Sequence, residues 1–222
     1  MRDSRLNRKT VSRREPILLL SGFEPFGGER SNPSWEIAAR LEGKSIAGVS
    51  VKAIRLPVAH ARAARTIVSA IRRWRPAAVI GLGQASGRPA LSLERVAINL
   101  VNPRRRDEAS GDGRETPVVR GGPDAYFSRL PLAAILRRLK RHQIPAAMSL
   151  SAGAYICNSV MYAALHELRR RPDLPAGFIH LPYATSQAVR HRGAPSMSLD
   201  LMERAIEIAI SETASAIRNN TR

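Results

Sequence analysis

The chain has 222 residues, one cysteine and a formal net charge of +18 at pH 7. That length suits a single domain with a substantial core, and no linker-like stretch divides it. A lone cysteine excludes an intrachain disulfide and stays usable as a thiol in a reducing cytoplasm, which is the expected location, while no segment approaches the ~20 apolar residues of a membrane helix.

Residues 1–16 hold six basic and two acidic residues, so a net +14 is spread over the rest. Much of it falls at the ends of expected helices, at Arg72-Arg73, Arg137-Arg138 with Lys140-Arg141, and Arg169-Arg170-Arg171. Cations there complement the helix dipole and form solvated faces. With 32 Arg against 4 Lys and no reader motif, the charge argues against nucleic acid as a partner.

In chain order, residues 1–15 read as a basic tail. Ser12-Arg13-Arg14 before Ile17-Leu18-Leu19-Leu20 resembles a twin-arginine export signal, but the apolar run is too short and no cleavage site follows. Residues 17–22 therefore read as a first buried strand. The turn Ser21-Gly22-Phe23-Glu24-Pro25-Phe26-Gly27-Gly28 lacks the Gly-Lys-Ser/Thr of a P-loop and carries two of the four Phe. Those rings either wall a site for a flat, uncharged ring or simply pack beneath the loop. Asn32-Pro33 supplies a cap and a first-turn proline for a helix over 33–41.

Next come a strand at 49–56 and a helix at 61–74, on which Ala64, Ile67, Val68, Ile71 and Trp74 make one apolar stripe. A strand at 77–82 leads into Gly81-Leu82-Gly83-Gln84-Ala85-Ser86-Gly87, one residue away from dinucleotide-binding spacing. In an extended 91–100, Ser92, Glu94, Val96, Ile98 and Leu100 share one face. Glu94 would then point to an apolar side and need a cation or donor, as a structural ion pair or as part of a site. Residues 102–123 read as a long surface excursion.

A helix at 131–142, a strand at 146–151 and a helix at 157–170 follow. Cys157 falls at the start of that last helix, where unpaired N–H groups and the dipole favour a thiolate. A free thiol, with a pKa of about 8.5, is only slightly ionised at neutral pH, so such help decides whether it attacks anything; the alternative is a small buried apolar residue. His180 ends a strand at 177–181, where ligand crevices of α/β sheets form. His60, His142, His166 and His191 sit in helical or Arg-rich contexts, and one Cys cannot build a thiolate metal site. A helix at 198–217 closes the chain. The alternation predicts an α/β fold, a single-domain three-layer α/β/α sandwich around a mixed, mostly parallel sheet.

Six segments, GFEPFGG (22–28), NPSWE (32–36), GQASGR (83–88), LSLERVAIN (91–99), SAGAYICN (151–158) and GFIHLPY (177–183), together resemble the pyroglutamyl peptidase I family of cysteine peptidases. The resemblance runs from about residue 17 to about residue 211 and implies a peptidase domain over 16–222. It implies a triad of Cys157 as nucleophile, His180 as general base and acid, and Glu94 orienting the imidazole. It further implies a pyroglutamyl ring held by Phe23 and Phe26, its lactam bonded near Gln84, with Tyr155 and Ile156 lining the pocket. The implied substrates are peptides with N-terminal pyroglutamate, with no metal or organic cofactor. A homo-oligomer such as a homotetramer is compatible with it, though no residue demands one. Where family members often carry Thr-Phe-Val before the cysteine, this chain has Ala154-Tyr155-Ile156. Two other readings stay open: a basic binding protein on a hydrolase scaffold, and a thiol hydrolase of another cyclic amide.

Overall fold

The structure, a computed structural model, describes residues 15–102 and 115–220. The basic tail expected over 1–15 lies, up to residue 14, outside the described residues, as does the arginine-rich stretch 103–106.

The elements run β1 (Ile17–Phe23), α1 (Pro33–Leu41), β2 (Ser45–Ile46), β3 (Val49–Leu56), α2 (His60–Trp74), β4 (Ala78–Gln84), β5 (Leu91–Glu94), β6 (Val96–Ile98) and β7 (Ala125–Phe127). They continue with α3 (Leu132–Arg141), β8 (Ala146–Ser149), α4 (Ile156–Glu167), β9 (Ala176–Leu181), β10 (Tyr183–Ala184), α5 (Thr185–Ala188), β11 (Ser196–Met197) and α6 (Leu199–Asn220). A seven-stranded sheet has the order β2-β3-β1-β4-β9-β5-β8. β3, β1, β4 and β9 are parallel, as are β5 and β8, while β5 meets β9 antiparallel and β2 turns back on β3. The sheet is mixed and mostly parallel, as the alternation of elements predicts.

Strands covered on both faces need apolar residues at every position, which is why β1 and β4 read as unbroken buried runs rather than alternating ones. On one face Leu18, Leu20, Ile80 and Leu82 meet Ile37 and Leu41 of α1, Ile135 and Leu139 of α3, and Met202, Ile206 and Ile210 of α6. On the other, Leu19, Val79 and Phe178 meet Ile67 and Ile71 of α2 and Val160, Met161 and Leu165 of α4. Helices on both faces make the expected three layers. α4 is buried on almost every side, from Ile156 to Leu165, which fits a helix central to its layer.

The strand expected over 91–100 is two strands in two sheets. The Arg95 N–H still donates to Ser149 of β8 (2.8 Å), but its C=O accepts from Ser128 beside β7 (2.7 Å). The alternation changes phase there: Glu94 and Ala97 are buried, Val96 and Ile98 only half so. The excursion expected from residue 102 returns through a bridge between Val101 and Thr116 and the short β7.

The entry to α1 is built as its sequence suggests. Asn32 caps it, its Oδ1 accepting from the Ser34 N–H (3.1 Å) and the Ser34 hydroxyl (2.7 Å), while its Nδ2 donates to the Glu24 C=O (3.0 Å). Ser34 Oγ in turn accepts the N–H of Phe23 at 3.0 Å. This close approach needs a glycine, because a Cβ at Gly22 would stand 2.3 Å from the Ser34 carbonyl oxygen. Gly22→Ala is expected to cost about 3 kcal/mol, as overpacking against backbone does. A denaturant midpoint shift checks this, and an unchanged midpoint would contradict it.

Candidate active site

Strand alternation puts Phe178 and His180 of β9 on one face, opposite Gly81 and Gly83 of β4 and beside Glu94 and Ser92 of β5. This is the face that carries α4, whose first turn contains Cys157. A Cβ on Gly83 would stand 2.8 Å from the Cys157 sulfur and 2.9 Å from the Phe178 ring. Bare backbone at Gly83 is therefore what lets the half-buried thiol settle over the sheet next to His180.

Glu94 is 0% exposed and His180 5%. Their contact, Nδ1 to Oε1, is 2.8 Å, and Arg88 Nη1 donates to the same oxygen at 2.8 Å. With Nδ1 turned to the carboxylate, Nε2 is the nitrogen left for chemistry. Burial opposes ionisation of Glu94, yet the hydrogen bond and charge of His180, with Ser149 and Arg88, hold its pKa below the ordinary carboxylate value. Burial likewise pulls the imidazole down, but the Cys157 sulfur, by charge and hydrogen bonding, and then Glu94 raise His180 to about 9. The Phe178 ring, 4.9 Å away between centroids and tilted to it, packs against the imidazole on the same sheet face.

α4 is held in register by Asn158, the residue after the thiol. Its Oδ1 accepts from the Ile98 N–H (2.8 Å), and its Nδ2 donates to the carbonyls of Ile98 (2.9 Å) and Leu100 (3.0 Å). Tyr155, at the N-cap, makes no side-chain capping bond to the first-turn N–H groups of α4, the turn that contains Cys157.

A crevice opens beside this group. The last register pair of β1 and β4 is Ser21 with Gly81, while β4 runs on to Gln84. The N–H groups of Val79 and Ala85 donate to Pro175 and Leu181, so odd-numbered residues of β4 turn to β9. The N–H and C=O of Gln84 consequently face the other way, into the gap that β1 leaves. Phe23, buried at the end of β1, lies 6.5 Å from Phe178, and Phe26 sits half-buried in the following turn. Ile156 is buried beside the thiol; Tyr155 is 52% exposed at the helix mouth.

The sequence-derived residues thus divide. Cys157, His180 and Glu94 come together, with Phe23 and Ile156 nearby and Phe26 and Tyr155 at the periphery. Gln84 is in place through its peptide group. Its side chain goes to the opposite sheet face, where Oε1 accepts from Gln187 at 2.9 Å. Sequence reasoning missed Arg88, Asn158 and Gln187; Arg88, closing GQASGR, and Asn158, closing SAGAYICN, stood in segments that called for notice, and Gln187 did not. Among the described residues no group of three or more His, Cys, Asp or Glu could hold a metal ion. A concavity of about 520 Å³ beside α2, lined by Ile54, Arg62, Arg65, Arg73 and Trp74 among others, shares no residue with this site.

A thiol at a helix start, an imidazole beside it and a buried carboxylate behind, on an open α/β sheet, are the parts that a thiol hydrolase requires. The family model described as "Pyroglutamyl peptidase" matches residues 17–216. A pyrrolidone-carboxylate peptidase of Escherichia fergusonii is 43% identical over 193 residues, covering 87% of this chain and 90% of that one. One from Klebsiella pneumoniae is 45% identical over 194 residues, covering 87% and 91%. Among solved structures, pyroglutamyl peptidase I of Bacillus amyloliquefaciens superposes with a TM-score of 0.85 at 37% identity over 90% of this chain and 98% of that one. A mutant pyrrolidone carboxyl peptidase of Pyrococcus furiosus gives 0.83 at 38% identity over 90% and 98%. The chain belongs to the pyroglutamyl peptidase family, whose members are cysteine peptidases.

The raised pKa of His180 links site and stability. Its contribution is full below the ordinary value of 6.5 and is lost as pH rises through about 9. In Glu94→Gln, with the carboxylate charge gone and burial unopposed on that side, the His180 ring should titrate at lower pH than in the wild type. Ring-nitrogen NMR reads this directly, and an unmoved titration would contradict the assigned pairing.

Proposed function

We propose that this protein removes N-terminal pyroglutamate from peptides through an acyl-enzyme on Cys157, with His180 and Glu94 completing the triad. The observation that carries the reading is the buried Glu94–His180 contact with the imidazole raised by the Cys157 sulfur, on a chain of this family.

In the first step the Cys157 sulfur attacks the pyroglutamyl carbonyl carbon, and the carbonyl oxygen takes up negative charge. First-turn N–H groups of α4 are placed to stabilise it. His180, as imidazolium, gives its proton to the departing amine as the C–N bond breaks, leaving a thioester and the shortened peptide. Water then adds to the thioester with His180 taking its proton; the C–S bond breaks, pyroglutamate leaves and the thiol is restored. Glu94 fixes the ring orientation and favours the imidazolium throughout.

A pyroglutamyl terminus has no free amine, so recognition falls on a small neutral lactam. Its ring carries an N–H and a C=O on adjacent atoms, complementary to the C=O and N–H of Gln84 in the crevice. Phe23, Phe26 and Ile156 supply apolar walls, and Tyr155 borders the side where the rest of the peptide leaves. A site that hydrogen-bonds a polar group strongly rejects analogues lacking it, which would separate pyroglutamate from proline. The nucleophile works only as a thiol, which supports a cytoplasmic setting, and no helix among the described residues is long and apolar enough to cross a membrane. Exposed Phe127 and Leu150 offer surface for a homo-oligomer, readable by sedimentation.

Cys157→Ala and His180→Ala should each lower pyroglutamyl-amide hydrolysis by about ten-thousandfold while circular dichroism stays native. Full activity in either variant would remove the triad. With the wild type, pyroglutamyl amides should be cleaved and prolyl and alanyl amides not; equal rates on all three would remove the lactam reading.

A further inference from the structure

Gln187 of α5 is 0% exposed, and its carboxamide joins three segments that border the crevice from the sheet face opposite Cys157. Its Oε1 accepts from the Ala184 N–H at 3.0 Å, four residues beyond His180. Its Nε2 donates to the Ser31 C=O at 3.2 Å, at the end of the loop that carries Phe26, and to Gln84 Oε1 at 2.9 Å, at the end of β4. Because a backbone N–H can only donate and a backbone C=O only accept, these two partners fix which end of the carboxamide is oxygen. Gln84 must then present its oxygen to Gln187.

The same loop is tied down a second time. Glu29, whose side chain is 7% exposed, pairs with Arg190 and His191, and its pKa is lowered first by His191, against burial, and then by Arg190 and Gln187. The Glu29 N–H donates to the Phe26 C=O at 3.1 Å, so a carboxylate bound to the 187–191 segment also holds the Phe26 turn. The His191 ring stacks on Tyr183 at 4.6 Å, between Pro182 and Ala184. Gln187 stands where these ties meet, and these hydrogen bonds go to Ala184, Ser31 and Gln84 rather than to His180 or Glu94.

We propose that Gln187 is a positioning residue that sets the width of the lactam slot. One buried carboxamide holds the Phe26 loop, the Gln84 end of β4 and the chain just after His180 at fixed separations, so the walls of the slot are set before substrate arrives. This rests on the pyroglutamyl reading above. It assigns Gln187 to substrate binding and selectivity, with the bond-breaking step left to the triad on the other face. Both N–H bonds of the carboxamide are used and its oxygen accepts one hydrogen bond, and a buried partner left unpaired costs more than the bond contributed, so the site has little tolerance for substitution.

Two near-isosteric variants test it. Gln187→Glu keeps an acceptor for Ala184 but turns oxygen towards Ser31, Gln84 and Glu29; Gln187→Met keeps the volume without hydrogen bonds. Both should raise KM for a pyroglutamyl amide by about tenfold or more while kcat stays within about threefold. Alkylation of Cys157 by iodoacetamide, which needs no lactam slot, should proceed at the wild-type rate. Should either variant fail to fold, Gln84→Met removes the same bond from its other end and should raise KM likewise; in the double variant Gln84→Met, Gln187→Met the two effects should not add. An unchanged KM in folded variants, additive effects, or kcat and alkylation falling with KM unmoved would each overturn the assignment. A wild type without pyroglutamyl-amide hydrolysis would instead overturn the substrate reading and take the slot with it, so the two failures are distinguishable.

Discussion

A carboxylate with no exposed surface must either stay paired or give up its charge, and the site is organised around Glu94 staying paired. Its cation cannot come from solvent, so it is supplied from within the sheet by His180 on the neighbouring antiparallel strand and from the rim by Arg88. The same contact fixes the imidazole's Nδ1 and leaves Nε2 for the sulfur. That in turn requires the thiol to lie close over the sheet, which the missing side chain at Gly83 permits. Buried acid, oriented ring, bare strand and helix start are one chain of dependencies. The reversal of β5 against β9 in an otherwise mostly parallel sheet sets Glu94 beside His180.

The crevice follows from topology as much as from side chains. β3 and β4 lie on either side of β1, so the chain turns outward in both directions from that point, and the ends of β1 and β4 part beyond Ser21 and Gly81. Open α/β sheets bind ligands at such points. Here both faces contribute: α4 delivers the thiol from one side, while α1, the Phe26 loop and α5 close the other. Asn158 and Gln187 do comparable work on opposite faces, each spending a whole buried carboxamide on backbone and neighbouring chain. Buried amides with every group satisfied hold separate segments in one arrangement, as preorganised sites need.

Much of this was legible in the residues. Unbroken apolar runs gave the central strands, Asn32-Pro33 gave the start of α1, and Cys157 and His180 were placed at a helix start and a strand end, one position or less from where they fall. The rest depended on contacts distant in sequence. Nothing local reports that the Arg95 C=O leaves β8 for the β6–β7 pair, because residues 91–94 and 96–98 both suit extended chain. β10, α5 and β11 are too short to show a period, so Gln187 had no pattern to stand in. The resemblance places the lactam near Gln84 without saying which of its groups bonds it; strand alternation sends the side-chain amide to the other face, where it meets Gln187, and leaves the peptide group to the crevice. Arg72 and Arg138, read as solvated helix ends, pair across to Glu167 and Glu212. Such partially exposed pairs contribute little to stability, so the surplus of positive charge remains chiefly a surface property.

The central claim is that the buried acid and the raised imidazole exist to make one sulfur accept and release a pyroglutamyl group. Quenching the wild type in acid during turnover of an activated pyroglutamyl ester, followed by peptide mass mapping, tests it most directly. A pyroglutamyl adduct on the peptide containing Cys157, present in the wild type and missing from Cys157→Ala, is the predicted result. Turnover without that adduct under conditions that make deacylation slow, or an adduct on any other side chain, would contradict it.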